Sequence, residues 1–312
     1  MSGLRHVLCW YSGEADLHAR LGDTVLATLR DGGSVAVELR PSTEVALRGR
    51  VAAELGADAV AGLLRLPRDT GPDGPSGQTQ VARAARVLRE RVVEAGPVTV
   101  VSEHAAGHAG PGGAYWTEVE AAAEVALADL PVQLLCWFPQ EVAAPVAAAA
   151  RAAHPLEDRD GAVVGSSAHR DPRSLLTDRP APVPAEMGPP VTDLPFDAVR
   201  LREVRSAVDG ALRGQGFPQA RSEDVTVAVN EIATNAVHHG PGTARLMIWT
   251  PPGEVVCEVH DTGRLDDPLP GLAPPDPRAP HGRGIWIARQ LCDLLHVWSD
   301  DGGTHVRVRA AA

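Results

Sequence analysis

The chain of 312 residues contains no lysine, so all 29 of its basic side chains are arginine. Chemistry that needs a lysine amine is therefore excluded, including Schiff-base catalysis and the phosphate contact of a standard P-loop. Aromatic residues make up only 4% of the chain, and its four cysteines show no CxxC spacing. Each cysteine lies in an apolar context, which is typical of a reduced thiol in a protein core. The cysteines are Cys9, Cys136, Cys257 and Cys292.

Long apolar runs and a net positive charge are also lacking. No stretch approaches the roughly 20 apolar residues of a membrane-spanning helix, and the first ten residues lack the apolar run of a signal peptide. The formal net charge is −11, and no arginine-rich stripe offsets it. A chain of this charge is repelled by a phosphate backbone. We therefore expect a cytoplasmic protein that binds neither a membrane nor nucleic acid directly.

The first 155 residues alternate short apolar runs with amphipathic helical patterns. Strands that are apolar throughout and alternate with helices are typical of a mostly parallel sheet covered on both faces. The sequence therefore predicts an α/β fold, with a doubly wound domain over residues 1–155. Strands are predicted at 6–11, 34–39, 61–66, 98–103 and 132–138, and helices at 16–30, 43–55, 78–95, 117–129 and 141–154.

Residues 156–192 differ in composition from the segments on either side. The stretch RPAPVPAEMGPPVTDLP is dense in proline and has no periodic apolar pattern. Such a composition is typical of an extended, semi-rigid linker. We therefore expect residues 156–192 to connect the first domain to a second one over residues 193–312.

The second domain opens with two helical patterns, at 196–216 and from an N-cap at Ser222 through NEIATNAVHHG. The first has Val199, Leu201, Val204, Val208 and Leu212 at helical spacing, and the second has a core stripe of Val227, Ala228, Ile232, Ala236 and Val237. Strands at 244–249 and 254–261, a helix at 284–295 and a hairpin at 296–309 follow. The Pro- and Gly-rich stretch 262–284 is too long for an ordinary connection and is predicted to be a functional lid. This order predicts an α+β layered sandwich.

Three motifs in this domain point to a nucleotide phosphate site. Glu231 and Asn235 are four residues apart and share one helix face, although for an isolated pair of this kind a solvated face is the favoured interpretation. A strand then ends in Asp261-Thr-Gly263. Further on, Gly282 and Gly284 open a helix, where backbone N–H groups can approach a phosphate at the positive end of the helix dipole. The three motifs in this order are much stronger evidence for a phosphate-binding site than any one of them alone.

Residues 193–309 resemble the ATP-binding domain shared by Hsp90, DNA gyrase B, histidine kinases and MutL, and within it the anti-sigma-factor serine/threonine kinases. The resemblance rests on NEIATNAVHHG, DTG, HGRGI and DGGTHVRV, in that order. It implies the Bergerat fold, the α+β sandwich of Hsp90 and histidine kinases, with ATP and Mg²⁺ as cofactors.

The resemblance also implies roles for individual residues. Asn235 corresponds to the Mg²⁺ ligand, and Glu231 corresponds to the general base. His239 matches the histidine before the glycine of the first motif, for which a capping or packing role is favoured over metal ligation. The remaining implied nucleotide contacts are Asp261 to the adenine amino group, Gly263 beside the base, Gly282, Arg283 and Gly284 over the phosphates, and Thr304 on the adenine side.

The first domain is similar to the MEDS family, the methanogen/methylotroph DcmR sensory domains. The similarity rests on HVLCWYSGEADL, GGSVAVELRPS and YWTEVEAAAEVALADLPVQLLCWFP followed by AAHP. It implies a RecA-like fold, here without a P-loop, that senses an unknown small ligand or contacts a protein. Glu103, Trp116 and Glu118 are candidates for a ligand crevice, with ordinary loop and cap roles as the alternative. A metal site formed by Glu103, His104 and His108 is disfavoured.

These features predict a regulator in which a sensory domain controls an anti-sigma-factor-type serine/threonine kinase. The implied partners are a sigma factor, an anti-sigma-factor antagonist of the STAS type, or both, and a homodimer is left open. One alternative is a non-catalytic binding module gated by nucleotide. The other is a sensor histidine kinase. It is disfavoured because no helical hairpin with a phosphoacceptor histidine precedes the ATP-binding domain, and His169 lies in a proline-flanked stretch without a helical pattern.

Overall fold

The computed structural model describes residues 3–66, 76–104, 113–180, 183–275, 278 and 282–312. The chain forms two compact units. The first comprises Met1–Thr70 and Arg83–Pro182, and the second comprises Gly71–Ala82 and Val183–Ala312. Each unit contains one β-sheet. In the parts of the chain that are described, every helix is too short or too polar to cross a membrane.

The first unit is built on a seven-stranded sheet with the strand order β3-β2-β4-β5-β1-β6-β7. All neighbouring strands are parallel except β6 and β7. The predicted mostly parallel α/β sheet is therefore confirmed. The elements are β1 (Arg5–Tyr11), α1 (Gly13–Arg30), β2 (Ser34–Glu38), α2 (Pro41–Leu55), α3 (Ala57–Ala61), β3 (Leu64–Arg65), α4 (Gly77–Ala95), β4 (Val98–Glu103), α5 (Ala114–Ala126), β5 (Val132–Pro139), α6 (Ala144–Ala153), β6 (Leu156–Arg159), β7 (Ala162–Gly165) and α7 (Pro172–Asp178).

The core of this unit follows from its apolar strands. Val35, Val37 and Val101 are fully buried, as expected for parallel strands with helices packed against them. Helix α1 contributes Leu17 and Leu21, one turn apart and both buried. The predicted reduced thiols are confirmed, because all four cysteines are buried and none forms a disulfide.

The predicted extended linker is wrong over residues 156–178, which form β6, β7 and α7. Strand β6 pairs in parallel with β1, so it continues the sheet of the first unit. Helix α7 is capped by Asp171, whose carboxylate accepts a hydrogen bond from the Ser174 N–H, and it buries Leu175 and Leu176. These elements are too short to produce a periodic apolar pattern. Residues 183–191 contain no helix or strand.

A strand predicted at 61–66 is also largely wrong. The structure has the short helix α3 at 57–61 and only a two-residue strand at 64–65. The apolar run AGLLRL is too short to distinguish a strand from a helix by pattern alone.

The second unit is built on a five-stranded sheet with the order β11-β12-β10-β9-β8, in which all neighbours are antiparallel. Helices α8, α9 and α10 share one apolar core with this sheet. The predicted α+β arrangement of helices and an antiparallel sheet is confirmed. The elements are β8 (Thr192–Asp197), α8 (Leu201–Gly214), α9 (Gln219–His239), β9 (Thr243–Trp249), β10 (Glu254–Asp261), α10 (Gly284–Leu291), β11 (Leu294–Asp300) and β12 (Gly303–Ala311).

The two first helices of this unit begin elsewhere than predicted. Residues 192–197 pair with β9 as an edge strand, so α8 starts at Leu201 and leaves Val199 88% exposed. Helix α9 starts directly after Pro218, whose fixed φ suits a helix entry, so Ser222 lies inside the helix and is not its N-cap. Val227, predicted in the core stripe, is 47% exposed. The other predicted apolar positions of α9 are buried.

The sheet face opposite these helices is polar but largely buried. Glu258 is 4% exposed and accepts hydrogen bonds from Arg307 Nε at 2.8 Å and His305 Nδ1 at 2.9 Å. Burial alone would raise the pKa of Glu258, but the charges of His305 and Arg307 hold that pKa below its usual value. Arg307 also donates to the backbone oxygen of Ala185, and the Trp249 Nε1–H donates to that of Gly188 at 2.6 Å. The segment 183–191 therefore covers part of this face.

We predict that Glu258→Gln destabilises the protein by about 3–5 kcal/mol, because Arg307 is left buried without its counter-charge. Glu254→Gln is the matched control, since it breaks the pair with Arg309 at a carboxylate that is 27% exposed, and it should cost about 1 kcal/mol or less. Urea unfolding of both variants measures the difference. Equal small losses would contradict the prediction.

His296 on β11 gives this unit a defined response to acid. Burial, together with three nearby guanidinium groups, lowers the pKa of His296 to about 3. Between that value and about 6.5, where histidine titrates in an unfolded chain, only the unfolded state binds the extra proton. Stability is therefore lost as the pH falls, by about 2 kcal/mol between pH 6.5 and pH 5. The guanidinium groups belong to Arg307, Arg289 and Arg309.

We predict that His296→Gln removes this contribution, so that the variant loses about 2 kcal/mol less than the wild type between pH 6.5 and pH 5. The free energy of unfolding, measured for both proteins at the two pH values, provides the comparison. An identical pH dependence would show that His296 is not the titrating group.

Candidate functional site

Glu231 and Asn235 lie on the half-buried side of α9, one helical turn apart. Buried residues beside them on α9, among them Ile232 and Ala233, pack into the core. Core packing therefore fixes the rotation of the helix and with it the direction in which the two polar side chains project. The predicted placement of the pair on one helix face agrees with this geometry.

The start of α10 lies directly against these two side chains. A Cβ atom built on Gly284 would lie 2.8 Å from Asn235 Nδ2 and 3.0 Å from Glu231 Oε2. Glycine is therefore required at this position if both side chains are to keep their places. The structure thus brings the carboxylate and the carboxamide to the N-terminal end of α10, where backbone N–H groups attract anions.

Asp261 is held at the end of β10 by its neighbours. Its Oδ1 atom accepts a hydrogen bond from the Gly263 N–H at 2.7 Å, and the hydroxyl of Thr304 donates to the Gly263 oxygen at 3.0 Å. A Cβ atom on Gly240 would lie 2.9 Å from the same Oδ1. At Gly303, φ is +136° and a Cβ would lie 2.0 Å from the Asp261 backbone oxygen. Several close approaches therefore fix one carboxylate in a single position.

A cavity of about 310 Å³ lies between α9, β10 and the start of α10. The structure brings six of the nine predicted site residues to its wall. Glu231 and Gly284 are adjacent to that wall through the close approach just described, whereas Arg283 is exposed at the N-cap of α10. The lining residues among those predicted are Asn235, His239, Asp261, Gly263, Gly282 and Thr304.

Sequence reasoning missed the apolar part of this wall and the loop residues that complete it. The apolar side chains come from four different elements, and their convergence has no local sequence signal. Residues of the predicted lid also line the cavity, and the unusual length of this loop did indicate a functional role. The missed residues are Ile232, Ala236, Gly240, Val259, Leu265, Ile285 and Val306, with Arg264, Asp267, Pro270 and Gly271 from the long loop.

The described part of the long loop is packed against the unit. Leu269 and Leu272 are buried, and Arg289 Nε donates to the Pro270 oxygen at 2.9 Å. At Gly271, φ is +66° and a Cβ would lie 2.7 Å from the Trp286 backbone nitrogen, so only glycine fits there. His281 lies outside the described residues.

The wall of the cavity combines three kinds of group. Apolar side chains form much of it, one fixed carboxylate stands beside glycines, and a helix start lies next to Asn235. Such a wall suits a flat heteroaromatic ring that carries an amino group, connected to an anionic tail.

Residues 194–310 match a protein family that is described as the histidine kinase-like ATPase domain. Residues 194–310 are a histidine kinase-like ATPase domain. All residues that line the cavity lie within this ATPase domain. Membership of this family implies that the domain binds ATP, and the chemistry of the cavity wall fits that ligand.

A similar solved structure is the crystal structure of the RsbU and RsbW domains of Rv1364c from Mycobacterium tuberculosis. The similarity has 20% sequence identity and a TM-score of 0.28, over 39% of this chain and 33% of that chain. This chain thus spans about a third of the length of that solved chain. A search of curated proteins finds no match.

We predict that Gly284→Ala lowers ATP affinity by about 10–100-fold, because the new methyl group displaces the tips of Asn235 and Glu231. The free energy of unfolding should change by no more than about 1 kcal/mol, since the displaced atoms are side-chain ends and alanine favours a helix. Calorimetric titration and urea unfolding measure the two effects.

Gly303→Ala provides the contrast. Its methyl group meets a backbone oxygen and its φ is unfavourable for alanine, so it should destabilise the domain instead. If Gly284→Ala bound ATP as tightly as the wild type, the close approach of α10 to α9 would have no part in binding.

Proposed function

We propose that the chain is a regulatory protein whose ATPase domain binds Mg-ATP and phosphorylates a serine or threonine of a partner protein. The observation that carries this proposal is the meeting of Glu231 and Asn235 at Gly284, beside a cavity that Asn235 and Asp261 both line. A carboxylate and a carboxamide therefore lie together beside this cavity.

In this proposal the fixed carboxylate of Asp261 accepts a hydrogen bond from the adenine amino group. The glycines at positions 240 and 263 leave the space that a side chain would otherwise fill beside that carboxylate. Thr304 supports the arrangement from β12, because its hydroxyl holds the Gly263 backbone in place.

Next to Gly284, Asn235 would offer a carboxamide oxygen to Mg²⁺, an ion that takes oxygen ligands and keeps several of its waters. ATP supplies the transferable phosphoryl group, and Mg²⁺ neutralises its charge. Glu231 would accept the proton of the attacking hydroxyl. Backbone N–H groups at the start of α10, together with Arg264 in the cavity wall and Arg283 at the N-cap of α10, would contact the phosphates in a chain that has no lysine.

The partner in this proposal is a sigma factor, an anti-sigma-factor antagonist of the STAS type, or both. The resemblance of the four motifs to anti-sigma-factor kinases supports this choice. Residues 1–155 would act as the sensory part that biases the ATPase domain, with an unknown small ligand as the signal. Incubation with Mg-ATP and candidate antagonists, followed by phosphopeptide mapping, tests the partner class.

A second candidate is a non-catalytic module that changes its binding surface when nucleotide is bound. One observation favours it: Asn235 lines the cavity, whereas Glu231 only borders it through Gly284. Loop residues 265, 267, 270 and 271 also line the cavity, so a bound nucleotide would contact the loop directly.

A sensor histidine kinase is less well supported. His169 lies between β7 and α7, outside any helix, and its Nε2 atom is 3.0 Å from Glu124 Oε1. Acid-labile phosphate on the chain after incubation with ATP would revive this alternative.

We predict that Asn235→Ala weakens Mg-ATP binding by about 10–100-fold, because the variant loses one contact to a charged partner. Glu231→Gln should leave that affinity within about threefold but slow phosphoryl transfer by about 10²–10⁴-fold, the usual contribution of a general base. Calorimetry and a phosphotransfer assay distinguish the two effects.

Asn230→Ala is the matched control, because Asn230 is the same residue type on α9 but contacts Arg205. Absence of ATP binding by the wild-type protein would end both candidate functions. The non-catalytic module would be favoured if Glu231→Gln left every biochemical and cellular activity of the protein intact while Asn235→Ala abolished them.

A further inference from the structure

The first unit contains a group of titratable side chains that the proposed function does not use. We refer to them as the buried histidine cluster: His6, His104, Glu120, Cys136 and His154. They come from β1, the end of β4, α5, β5 and the end of α6, and each is at most 4% exposed. So many ionisable groups without contact to water need a specific compensating interaction.

The cluster converges on one oxygen atom, Glu120 Oε2. His6 Nε2 lies 2.6 Å from this atom, and His154 Nε2 and Cys136 Sγ each lie 3.2 Å from it. Cys136 Sγ is also 3.5 Å from His6 Nε2. Ligand atoms of these four residues all lie within 4.8 Å of one another. His104 Nε2 lies 2.5 Å from the other oxygen, Oε1, and so holds the carboxylate from its far side.

The hydrogen bonds of His154 show that a cation is needed at this point. Its Nδ1 atom lies 2.6 Å from the backbone oxygen of Ala150, so Nδ1 must carry the hydrogen. In neutral imidazole, Nε2 then presents a lone pair, and that lone pair faces the carboxylate of Glu120. Among the described residues, this buried Nε2 has no hydrogen-bond partner. Either a proton on Nε2 or a metal ion between the two groups would relieve the repulsion.

We propose that His6, Glu120, Cys136 and His154 form a closed binding site for one Zn²⁺ ion. Two imidazoles, a carboxylate and a thiolate are a donor set that suits Zn²⁺. The usual bond lengths place neighbouring ligand atoms of a tetrahedral zinc site about 3.3–3.6 Å apart, close to several of the distances observed here. Donation of Nδ1–H to a backbone carbonyl is the usual outer contact of a metal-bound histidine.

The surroundings indicate a structural role for the ion. Trp116 and Phe138 pack against His104, and the cavity that borders Glu120 measures only about 10 Å³. That space holds at most one water molecule, so the site has no room for a substrate. An ion in this position would join β1, α5, β5 and the end of α6.

The first experiment measures metal binding by the full-length wild-type chain. We expect about one zinc per chain by elemental analysis after dialysis against metal-free buffer. Removal of zinc and addition of Co²⁺ should produce the visible absorption of tetrahedral cobalt together with a thiolate-to-cobalt charge-transfer band. Both bands should disappear when Zn²⁺ is added back. A chain that takes up neither ion would show that a proton, not a metal, lies between His154 and Glu120, and would overturn the proposal.

The second experiment uses variants with matched controls. Cys136→Ser should abolish the charge-transfer band, whereas Cys9→Ser, at a buried cysteine outside the cluster, should keep it. His154→Gln should lose zinc, whereas His296→Gln, at a buried histidine of the other unit, should retain it. His104→Gln should weaken zinc affinity by about 10–100-fold, the usual effect of an outer-contact change. Retention of zinc by folded Cys136→Ser and His154→Gln variants would overturn the assignment of ligands, and circular dichroism checks that each variant is folded.

Discussion

The close approach of α10 to α9 at Gly284 is the constraint on which the rest of the candidate site depends. It places a helix start against Glu231 and Asn235, with no space for even one methyl group between them. The core holds α9 in its rotation through Ala228 and Ile232, while the strand pairing of β10 and β12 sets the position of Asp261 in the cavity wall. Two packing arrangements thus fix these groups of the cavity wall, and described residues of the long loop complete the lining.

Six of the nine predicted site residues line one cavity, and they could be selected because the motifs that contain them resemble those of a known family, while their roles stay predictions. The walls could not be predicted in the same way. Ile232, Val259 and Val306 look like ordinary core residues in the sequence, and only the tertiary structure reveals which of them border a cavity. The same limit applies to the buried histidine cluster, whose members lie far apart along the chain. In the sequence, His104 was considered only in a disfavoured metal site with Glu103 and His108. In the structure, Glu103 forms an ion pair with Arg40, and His108 lies outside the described residues.

The fold shows a similar division. Long periodic segments such as α1 and β5 agree with their predictions, because many apolar positions support the same pattern. The errors fall on short elements. Strand β6 is identified by its pairing with β1, and β8 is an edge strand whose residues resemble the beginning of the helix that follows. Neither pairing has a local signal in the sequence. The proline-rich composition therefore favoured a linker at β6, and the helical pattern favoured a helix at β8.

The polar face of the second sheet has a consequence for where the ATPase domain begins. The match to the family starts at residue 194, yet Arg307 and Trp249 hydrogen-bond to the backbone at positions 185 and 188. Val191 also donates its N–H to the Ile248 oxygen at 2.8 Å. A fragment cut at the family boundary would leave an indole and a guanidinium group without these acceptors. A piece that keeps these three contacts therefore starts about ten residues earlier, within a segment outside the family match.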